Sequence, residues 1–337
     1  MKEFDRNSNA CDKLHHNLLY QKFCSLIHQT ACFENVSRVL VGVSGGVDSS
    51  VLLHMLCEYQ KKQNGPHVIA LHIHHAQRAE EADRDEAAAR ELAKQLGCEF
   101  FSVKLDVSSG ASEEELRKLR HQALETFAID QNCERIALGH HMDDQAETFL
   151  FRLIRGADIK GLSAMKVFRF PYVRPMLGIS RNEILMEAER CQIPFMSDSS
   201  NDLNGPARNY IRNVVMPALE SKLDPQVKNH MANLAQSMSE IDLYMTTQAV
   251  EMIDKVAVSD HSYSVKMLRE VLPALRKKMI HLMYAYIIKD KGALSREQVA
   301  MIDAWMETTQ SPKFLLLPGS IRVEKKQGVL TFSIVGE

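Results

Sequence analysis

Residues 38–50 read RVLVGVSGGVDSS, and this stretch decides the fold. Its first part is a compact run rich in β-branched residues, which predicts a buried strand at Arg38–Val43. Two glycines follow, and from Asp48 onward apolar residues recur at helical spacing. A buried strand that turns at once into a helix is typical of a parallel sheet covered by helices.

The same strand-then-helix unit recurs three more times along the chain. This alternation predicts an α/β fold, with a doubly wound parallel sheet. The later helices carry their own start and stop signals, such as the capping-box pair Ser112 and Glu115. The predicted strands are His67–Ile73, Glu99–Leu105 and Glu134–Leu138, and the predicted helices are Asp83–Leu96, 112–130 and Asp143–Arg155.

After residue 175 the alternation is lost. Ser180 and Glu183 predict one more helix, residues 214–308 are mostly helical in pattern, and short strands end the chain. These strands are predicted at Phe314–Leu317, Ile321–Lys325 and Val329–Val335, with a tight turn at Gln327-Gly328. We expect a helical lead-in over residues 1–36, a nucleotide-binding domain over 37–217, and a mostly helical second domain with C-terminal β-strands over 218–337.

The composition is that of an ordinary globular protein, with 45% hydrophobic and 25% charged residues among 337. Basic and acidic residues number 41 and 43, so the net charge of −2 excludes a globally basic nucleic-acid binder. The sequence shows no membrane-spanning stretch and no secretory signal, and we expect no membrane contact. Seven scattered cysteines without a CxxC pair favour reduced thiols in the cytoplasm.

The glycine loop after the first strand has the features of a phosphate-binding loop. Its glycines let the backbone approach an anion, while its N–H groups and the following helix N-terminus attract negative charge. It lacks the Gly-Lys pair of a Walker A loop and the GxGxxG of the dinucleotide fingerprint. Asp48 is suited to hold Mg²⁺ beside a polyphosphate. The alternative is a plain strand-to-helix turn capped by serines.

A second motif, GHHMDDQAET at 139–148, follows the fourth predicted strand. If the first and fourth strands are neighbours, this loop faces the glycine loop across the crevice where ligands bind. Asp144 and Glu147 share one helix face, where they could bind Mg²⁺ or the ammonium group of an amine substrate. His140 and His141 could donate to a phosphate.

Two further predictions concern this motif. We expect Asp143 to be the N-cap of its helix. A zinc site that also uses His72, His74 and His75 is a weaker alternative, because the acids of the motif suit Mg²⁺ and an amine better.

The glycine loop resembles the PP-loop of the N-type ATP pyrophosphatases, which cleave ATP between the α- and β-phosphates. Behind it, in order, come HHMDDQAET, RGADIKGLSAM (155–165), RPML (174–177), DSSN (198–201) and RNYIR (208–212). This series resembles the bacterial tRNA(Ile)-lysidine synthetase family. The resemblance is specific over about residues 38–217 and looser beyond.

The resemblance implies a ligase that forms a carbon–nitrogen bond on the wobble cytidine, position 34, of a tRNA(Ile) with a CAU anticodon. The cytidine C2 oxygen attacks the α-phosphate of ATP, pyrophosphate leaves, and an adenylated cytidine forms. The ε-amine of free L-lysine then attacks C2 and expels AMP. The product, lysidine, changes decoding from AUG to AUA. ATP and Mg²⁺ are implied requirements, and a homodimer is an expectation from the resemblance alone.

The resemblance also implies roles for individual residues. ATP is expected on the glycine loop, Mg²⁺ on Asp48, and lysine on Asp144 and Glu147. Catalysis is assigned to Asp144, as a base on the attacking amine, and to Arg208 and Arg212, as a phosphate or tRNA clamp. Residues 151–182 carry seven basic residues against Asp158 alone, which favours tRNA contact. The ATP-binding set is Ser44, Gly45, Gly46, Val47, Asp48 and Ser49; the tRNA-binding set is Arg117, Arg120, Arg152, Arg155, Lys160 and Arg174.

The sequence departs from the family at three places. HAQR stands at 75–78 where HGLR is usual, His121 replaces a tyrosine, and we expect no extra C-terminal domain that grips the acceptor arm. The runner-up function is another ATP pyrophosphatase such as a tRNA thiolase, which the missing CxxC disfavours. A glutaminase-linked synthetase is less favoured, and a non-catalytic nucleotide-binding module would not need the acids or the arginine pair.

Overall fold

The computed structural model describes residues 18–75, 79–105, 112–196, 206–288, 292–308 and 313–335. The chain forms two compact units, residues 1–237 and 238–337. The boundary between the units falls inside one long helix, and the domain limits at 36/37 and 217/218 stay predictions. Within the described residues, no helix combines the length and apolar character that crossing a bilayer requires.

The first unit contains a six-stranded sheet in the order β3-β2-β1-β4-β6-β5. All neighbouring strands pair in parallel except β5 and β6, which form a small antiparallel hairpin at the edge. The predicted doubly wound sheet is therefore confirmed, and the hairpin is an addition. The strands are β1 (Arg38–Gly42), β2 (His67–His75), β3 (Glu99–Leu105), β4 (Arg135–Ala137), β5 (Phe168–Arg169) and β6 (Tyr172–Val173).

Helices connect the strands of this sheet and follow its last strand. Both capping boxes predicted from the sequence, at Ser112 and at Ser180, are present and start their helices. The helices are α1 (18–30), α2 (Val47–Gln63), α3 (Ala79–Leu96), α4 (Glu113–Asp130), α5 (Met142–Ile154), α6 (Ile159–Leu162), α7 (Arg181–Arg190), α8 (Pro206–Tyr210), a π-helical turn (Ile211–Val215) and α9 (Met216–Lys222).

Both faces of the sheet are buried. Val39 and Val41 of β1 point into a core shared with α1, α2 and α7. Leu40 points into a second core shared with α4, where it joins Ile136 of β4. A strand that is buried on both faces must be apolar at every position, and this is the reason why β1 reads as an uninterrupted hydrophobic run.

The pairing of β1 with β4 positions the functional loops. Val39 lies opposite Arg135, and Val41 lies opposite Ala137, so the carboxyl ends of the two strands are adjacent. The loop after β4 then packs directly on the start of α2. A side-chain carbon added at Gly139 would lie 3.1 Å from the carbonyl carbon of Asp48 and 3.1 Å from the nitrogen of Ser49.

The second unit has its own sheet, in the order β7-β8-β11-β10-β9. The three predicted C-terminal strands are confirmed, and positive φ angles at Gln327 and Gly328 form the predicted tight turn. The strands β7 and β8 are additions, each only three residues long. The elements are α10 (Val227–Val256), β7 (Ala257–Ser259), β8 (Ser262–Ser264), α11 (Val265–Glu270), α12 (Pro273–Ile288), α13 (Arg296–Glu307), β9 (Phe314–Leu317), a 3₁₀ turn (Pro318–Ser320), β10 (Ile321–Lys326) and β11 (Val329–Ile334).

The close approach at Gly139 gives a testable prediction. We expect Gly139→Ala to lower the thermal unfolding midpoint, because the added methyl group presses on backbone that cannot rotate away; overpacking of this kind costs about 1–3 kcal/mol. Gly178→Ala is the matched control, since a carbon added there meets no described atom within 4 Å. Equal midpoints for the two variants would contradict the close packing of this loop on α2.

Candidate active site

The glycine loop between β1 and α2 is held open by its own serines. The Ser44 N–H donates to the Ser49 hydroxyl at 3.0 Å, and the Ser49 hydroxyl donates to the Gly46 carbonyl at 3.0 Å. The N-cap of α2 is Gly46, which has no side chain to accept from the first-turn N–H groups. These donors and the helix dipole therefore point at the crevice, as an anion site requires.

Gly45 is required by the shape of this loop. Its φ is 91°, in the left-handed region that favours glycine. A side-chain carbon at this position would also lie 2.7 Å from Cβ of Asp85 on α3. The loop is further fixed from the other side, where the Met196 N–H donates to the Gly45 carbonyl at 3.0 Å.

His141 lies at the centre of the acids that follow β4. Its Nε2 lies 3.7 Å from Oδ2 of Asp48 and 3.4 Å from Oδ2 of Asp144. The imidazole is 3% exposed. The ring thus connects the glycine loop with the second motif, and the two motifs do converge on one crevice as the sequence predicts.

Asp48 has two carboxylate oxygens in different environments. Oδ2 accepts from Nη1 of Arg181 at 3.1 Å, while Oδ1 is buried without a hydrogen-bond partner among the described residues. Burial raises the pKa of Asp48, although His141 and Arg181 act in the opposite direction. An orphaned carboxylate oxygen beside an anion loop fits the oxygen ligation that Mg²⁺ prefers, so the residues present fit this ion.

The prediction that Asp143 caps α5 is wrong. The N-cap is His141, and its N–H donates to Oδ2 of Asp144 at 3.1 Å. Asp143 instead lies in the first turn, where it accepts from the Arg181 N–H at 2.9 Å and pairs with Nζ of Lys228 at 2.7 Å. Burial opposes ionisation of Asp143, but these donors outweigh it and keep its pKa below the usual value.

Arg212 joins the two acids that the sequence assigns to an amine. Its Nε donates to Glu147 at 2.7 Å, and its Nη2 donates to Asp144 at 2.9 Å and to Glu147 at 2.9 Å. Burial alone would raise the pKa of Asp144, but His141 and Arg212 hold it below its usual value. Asp144 is therefore charged, and Arg212 orients both carboxylates in the free protein.

Arg208 lies one helical turn before Arg212, and its guanidinium has looser contacts. Its Nη2 donates to the Thr148 hydroxyl at 3.2 Å, and its Nε lies 3.7 Å from Oε2 of Glu147. That Nε is buried without a hydrogen-bond partner in the described parts of the chain. The Arg208 side chain as a whole is 28% exposed, so the outer part of its guanidinium can meet an anion in the crevice.

His140 lies beside the arginines of the crevice. Burial lowers the pKa of His140 to about 3. The positive charges of Arg174, Arg117 and Arg208 also lower this pKa, whereas the negative charge of Asp144 raises it. The ring is therefore neutral near pH 7 and can donate through one nitrogen only. The role predicted for it as a phosphate donor is compatible with this state.

The predicted tRNA-binding residues of the 151–182 region have different surroundings. Arg152 donates to the carbonyls of Gly161 and Ala164, both at 2.9 Å, and so holds the chain around α6. Arg155 and Lys160 are exposed. The guanidinium of Arg155 stacks on the ring of Phe151 at 4.1 Å. The exposed residues of this region present positive charge to solvent, while Arg152 supports their loop.

Two more predicted tRNA-binding arginines lie on α4. Arg117 is exposed and Arg120 is partly buried. His121, which departs from the family pattern, bonds through Nδ1 to the Tyr172 hydroxyl at 2.7 Å, and that hydroxyl donates to Glu125 at 2.7 Å. Burial lowers the pKa of Arg174, and the neighbouring charges of Arg117 and Arg169 act in the same direction.

The sequence analysis did not identify two residues that contact the acids of the site. Some residues that it did single out lie outside the part of the chain that the structure describes. Arg181 and Lys228 contact the acids but stand outside the recognised motifs; for Arg181, the capping position after Ser180 was the available signal. DSSN (198–201) and Ala76–Arg78 of HAQR lie outside the described residues. His72 and His74, named above for a zinc site, contact other groups. His72 forms a hydrogen bond with the Val43 carbonyl at 2.9 Å, and His74 pairs with Asp83.

A family model described as a PP-loop domain matches residues 16–219. The chain belongs to the PP-loop domain family. The solved U34-tRNA thiolase NcsA from Methanococcus maripaludis superposes with a TM-score of 0.57 at 21% identity, covering 68% of this chain and 80% of that one. This likeness concerns the fold alone.

Two curated relatives carry a functional name. The tRNA(Ile)-lysidine synthase of Pseudomonas syringae pv. tomato is 36% identical over 239 residues, which are 70% of this chain and 51% of that protein. The tRNA(Ile)-lysidine synthase of Bacillus cereus is 29% identical over 334 residues, which are 94% of this chain and 70% of that protein. The chain thus spans about half the length of the first relative and 70% of the second.

The bridging role of Arg212 gives the next prediction. Arg212→Met removes the guanidinium that bridges two buried carboxylates, so we expect the free energy of unfolding to fall by about 3 kcal/mol. Urea denaturation followed by circular dichroism measures this change. Arg155→Met is the matched control, because the same charge is removed from an exposed position.

Glu147→Gln in the Arg212→Met background should recover part of the stability, since one unpaired charge is then gone. An Arg212→Met protein as stable as the Arg155→Met protein would contradict the bridge.

Proposed function

We propose that this protein ligates L-lysine to C2 of the wobble cytidine, position 34, of tRNA(Ile) with a CAU anticodon. The observation that carries the proposal is the convergence of an anion-binding glycine loop and a buried acid pair on one crevice. Curated relatives named tRNA(Ile)-lysidine synthase support it. The reaction consumes ATP and releases pyrophosphate and AMP.

The first step is adenylation of the cytidine. Residues 44–49 hold the pyrophosphate part of ATP through backbone N–H groups, serine hydroxyls and the α2 dipole. Asp48 would hold Mg²⁺, which would neutralise phosphate charge when bound. The Arg208 guanidinium would stabilise charge that develops on the α-phosphate as the C2 oxygen of the cytidine attacks.

The second step needs a bound lysine. Asp144 and Glu147 attract its ammonium groups, and the low pKa of Asp144 keeps that carboxylate charged. Because Asp144 is oriented by Arg212, we assign it binding and orientation of the lysine in addition to the predicted role as a base. Arg212 must share or release these carboxylates when lysine enters, and its catalytic role is to align them.

The tRNA would be held by basic residues of α4 and of the 151–182 region. Exposed Arg117, Arg155 and Lys160 contact phosphates, while Arg152, Arg120 and Arg174 support the surfaces that carry them. Such an enzyme would act in the cytoplasm, where tRNA is found. A homodimer is retained as a prediction from the resemblance.

A tRNA thiolase is the second candidate, and its support is weaker. The superposition on the archaeal thiolase concerns the fold only. Sulfur transfer normally uses cysteines near the nucleotide, whereas neither residues 44–49 nor residues 139–148 contain one. The acid pair has a direct role in lysine binding.

The decisive experiment separates the two half-reactions. Wild-type protein is incubated with ATP, Mg²⁺ and a tRNA(Ile) transcript with a CAU anticodon, and pyrophosphate release and labelled lysine incorporation are measured. We expect Glu147→Gln to keep single-turnover pyrophosphate release while the KM for lysine rises at least about tenfold, because a charge-assisted hydrogen bond to the substrate is removed.

The matched control is Glu125→Gln, which removes a carboxylate from the α4 edge. It should leave the KM for lysine unchanged. Pyrophosphate release without lysine incorporation by the wild-type protein would overturn the proposed ligase activity and leave only adenylation.

The tRNA-binding surface has its own test. The double variant Arg155→Ala/Lys160→Ala should bind tRNA more weakly and lower the slope of log K against log salt by about 1 for each phosphate that is no longer neutralised. Filter binding at several salt concentrations measures both. Lys94→Ala, an exposed cation at the end of α3, is the control. Unchanged salt dependence in the double variant would remove these residues from the interface.

A further inference from the structure

A second cluster of metal-ligating side chains lies between α2 and α7, away from the crevice. His54 of α2 faces Glu187 and Cys191 at the end of α7. His54 comes six positions after Asp48, and Glu187 comes six positions after Arg181, which is about 9 Å along each helix. The cluster is therefore distinct from the nucleotide site, although both helices begin there.

The ligand atoms of the cluster have the spacing of a metal site. Sγ of Cys191 lies 3.5 Å from Nε2 of His54 and 3.2 Å from Oε1 of Glu187, and all three atoms lie within 4.8 Å of one another. Tetrahedral Zn²⁺ with bonds of about 2.3 Å to sulfur and 2.0–2.2 Å to nitrogen or oxygen separates its ligands by about 3.6 Å. Small side-chain rotations would bring the three atoms to this geometry.

A positive group already occupies the space between two of these ligands. Nη2 of Arg190 lies 2.6 Å from Oε1 of Glu187 and 2.7 Å from Sγ of Cys191. The carboxylate of Glu187 is only 3% exposed, while the Arg190 side chain is 26% exposed. The guanidinium can therefore move toward solvent, whereas the carboxylate stays buried and needs a cation.

We propose that His54, Glu187 and Cys191 form a binding site for a thiophilic divalent cation of the Zn²⁺ class, and that Arg190 holds the site in the metal-free state. Binding replaces the Arg190 contacts with metal bonds and releases the Cys191 thiol proton to solvent. A fourth position is left for water. The bound ion joins α2, which starts at the glycine loop, to α7, whose first residue contacts Asp48.

Titration with Co²⁺ tests the site, because cobalt bound to a thiolate gives a near-ultraviolet charge-transfer band that carboxylate sites such as Asp48 cannot give. We expect one such band per wild-type chain, with saturation at one equivalent. Cys191→Ser should abolish the band. His54→Ala should weaken cobalt binding at least about 100-fold, since even second-shell changes cost 10–100-fold.

Arg190→Gln should change the affinity for cobalt in the opposite direction from His54→Ala. Removal of the competing guanidinium should tighten cobalt binding relative to the wild-type protein. Cys133→Ser, at another free thiol, is the matched control and should keep the band. Circular dichroism of the metal-free variants separates a defect in ligation from a defect in folding.

Two results would overturn the proposal. One is a charge-transfer band that persists in a folded Cys191→Ser protein, which would place the thiolate elsewhere. The other is the absence of the band in both wild-type and Arg190→Gln proteins, which would leave the cluster as an Arg190–Glu187 ion pair only. Neither result depends on the lysine or tRNA assays, so the fate of the ligase proposal is tested separately.

Discussion

The parallel pairing of β1 with β4 brings together two loops that are almost 100 residues apart in sequence. It does so because neighbouring parallel strands end at the same edge, and because Gly139 allows the second loop to rest on backbone of α2 without a side chain between them. The serines of the first loop, the acids of the second and the imidazole of His141 depend on this pairing for their distances. A site built this way keeps its side chains on rigid strand ends and helix starts.

The buried carboxylates of the crevice need positive partners. Four carboxylates, on Asp48, Asp143, Asp144 and Glu147, converge at partly or fully buried positions, where an unpaired charge is costly. Three cations from different segments pair with these carboxylates. Arg181 belongs to α7, Lys228 to α10, and Arg212 to the π-helical turn. These cations come from segments that follow the sheet in sequence. The crevice is therefore completed only after the chain beyond β6 has folded over the loops.

Much of this arrangement could be predicted from the sequence, and the rest could not for identifiable reasons. The long alternating segments and the capping boxes at Ser112 and Ser180 carry strong local signals, and the structure confirms them. The β5–β6 hairpin was missed because two-residue strands around Pro171 have no period to detect. Asp143 was misassigned because capping preference is local, whereas its partners Arg181 and Lys228 are brought by tertiary folding. The functional roles of the site residues remain predictions, since ligand contacts are not local properties of the chain.

The π-helical turn at Ile211–Val215 has a consequence for sequence change in this family. Ile211 and Met216 are both buried in one small core with Ala146 and Leu150, although a five-residue spacing would place them on different faces of an α-helix. The extra residue in the turn aligns them, while Arg208 and Arg212 remain on the crevice side. Loss of a single residue here would restore a regular helix. Such a helix could not bury Ile211 and Met216 in this small core and also keep Arg208 and Arg212 on the crevice side. The segment should therefore tolerate substitution of its exposed residues, Asn213 and Val214, far better than any change in its length.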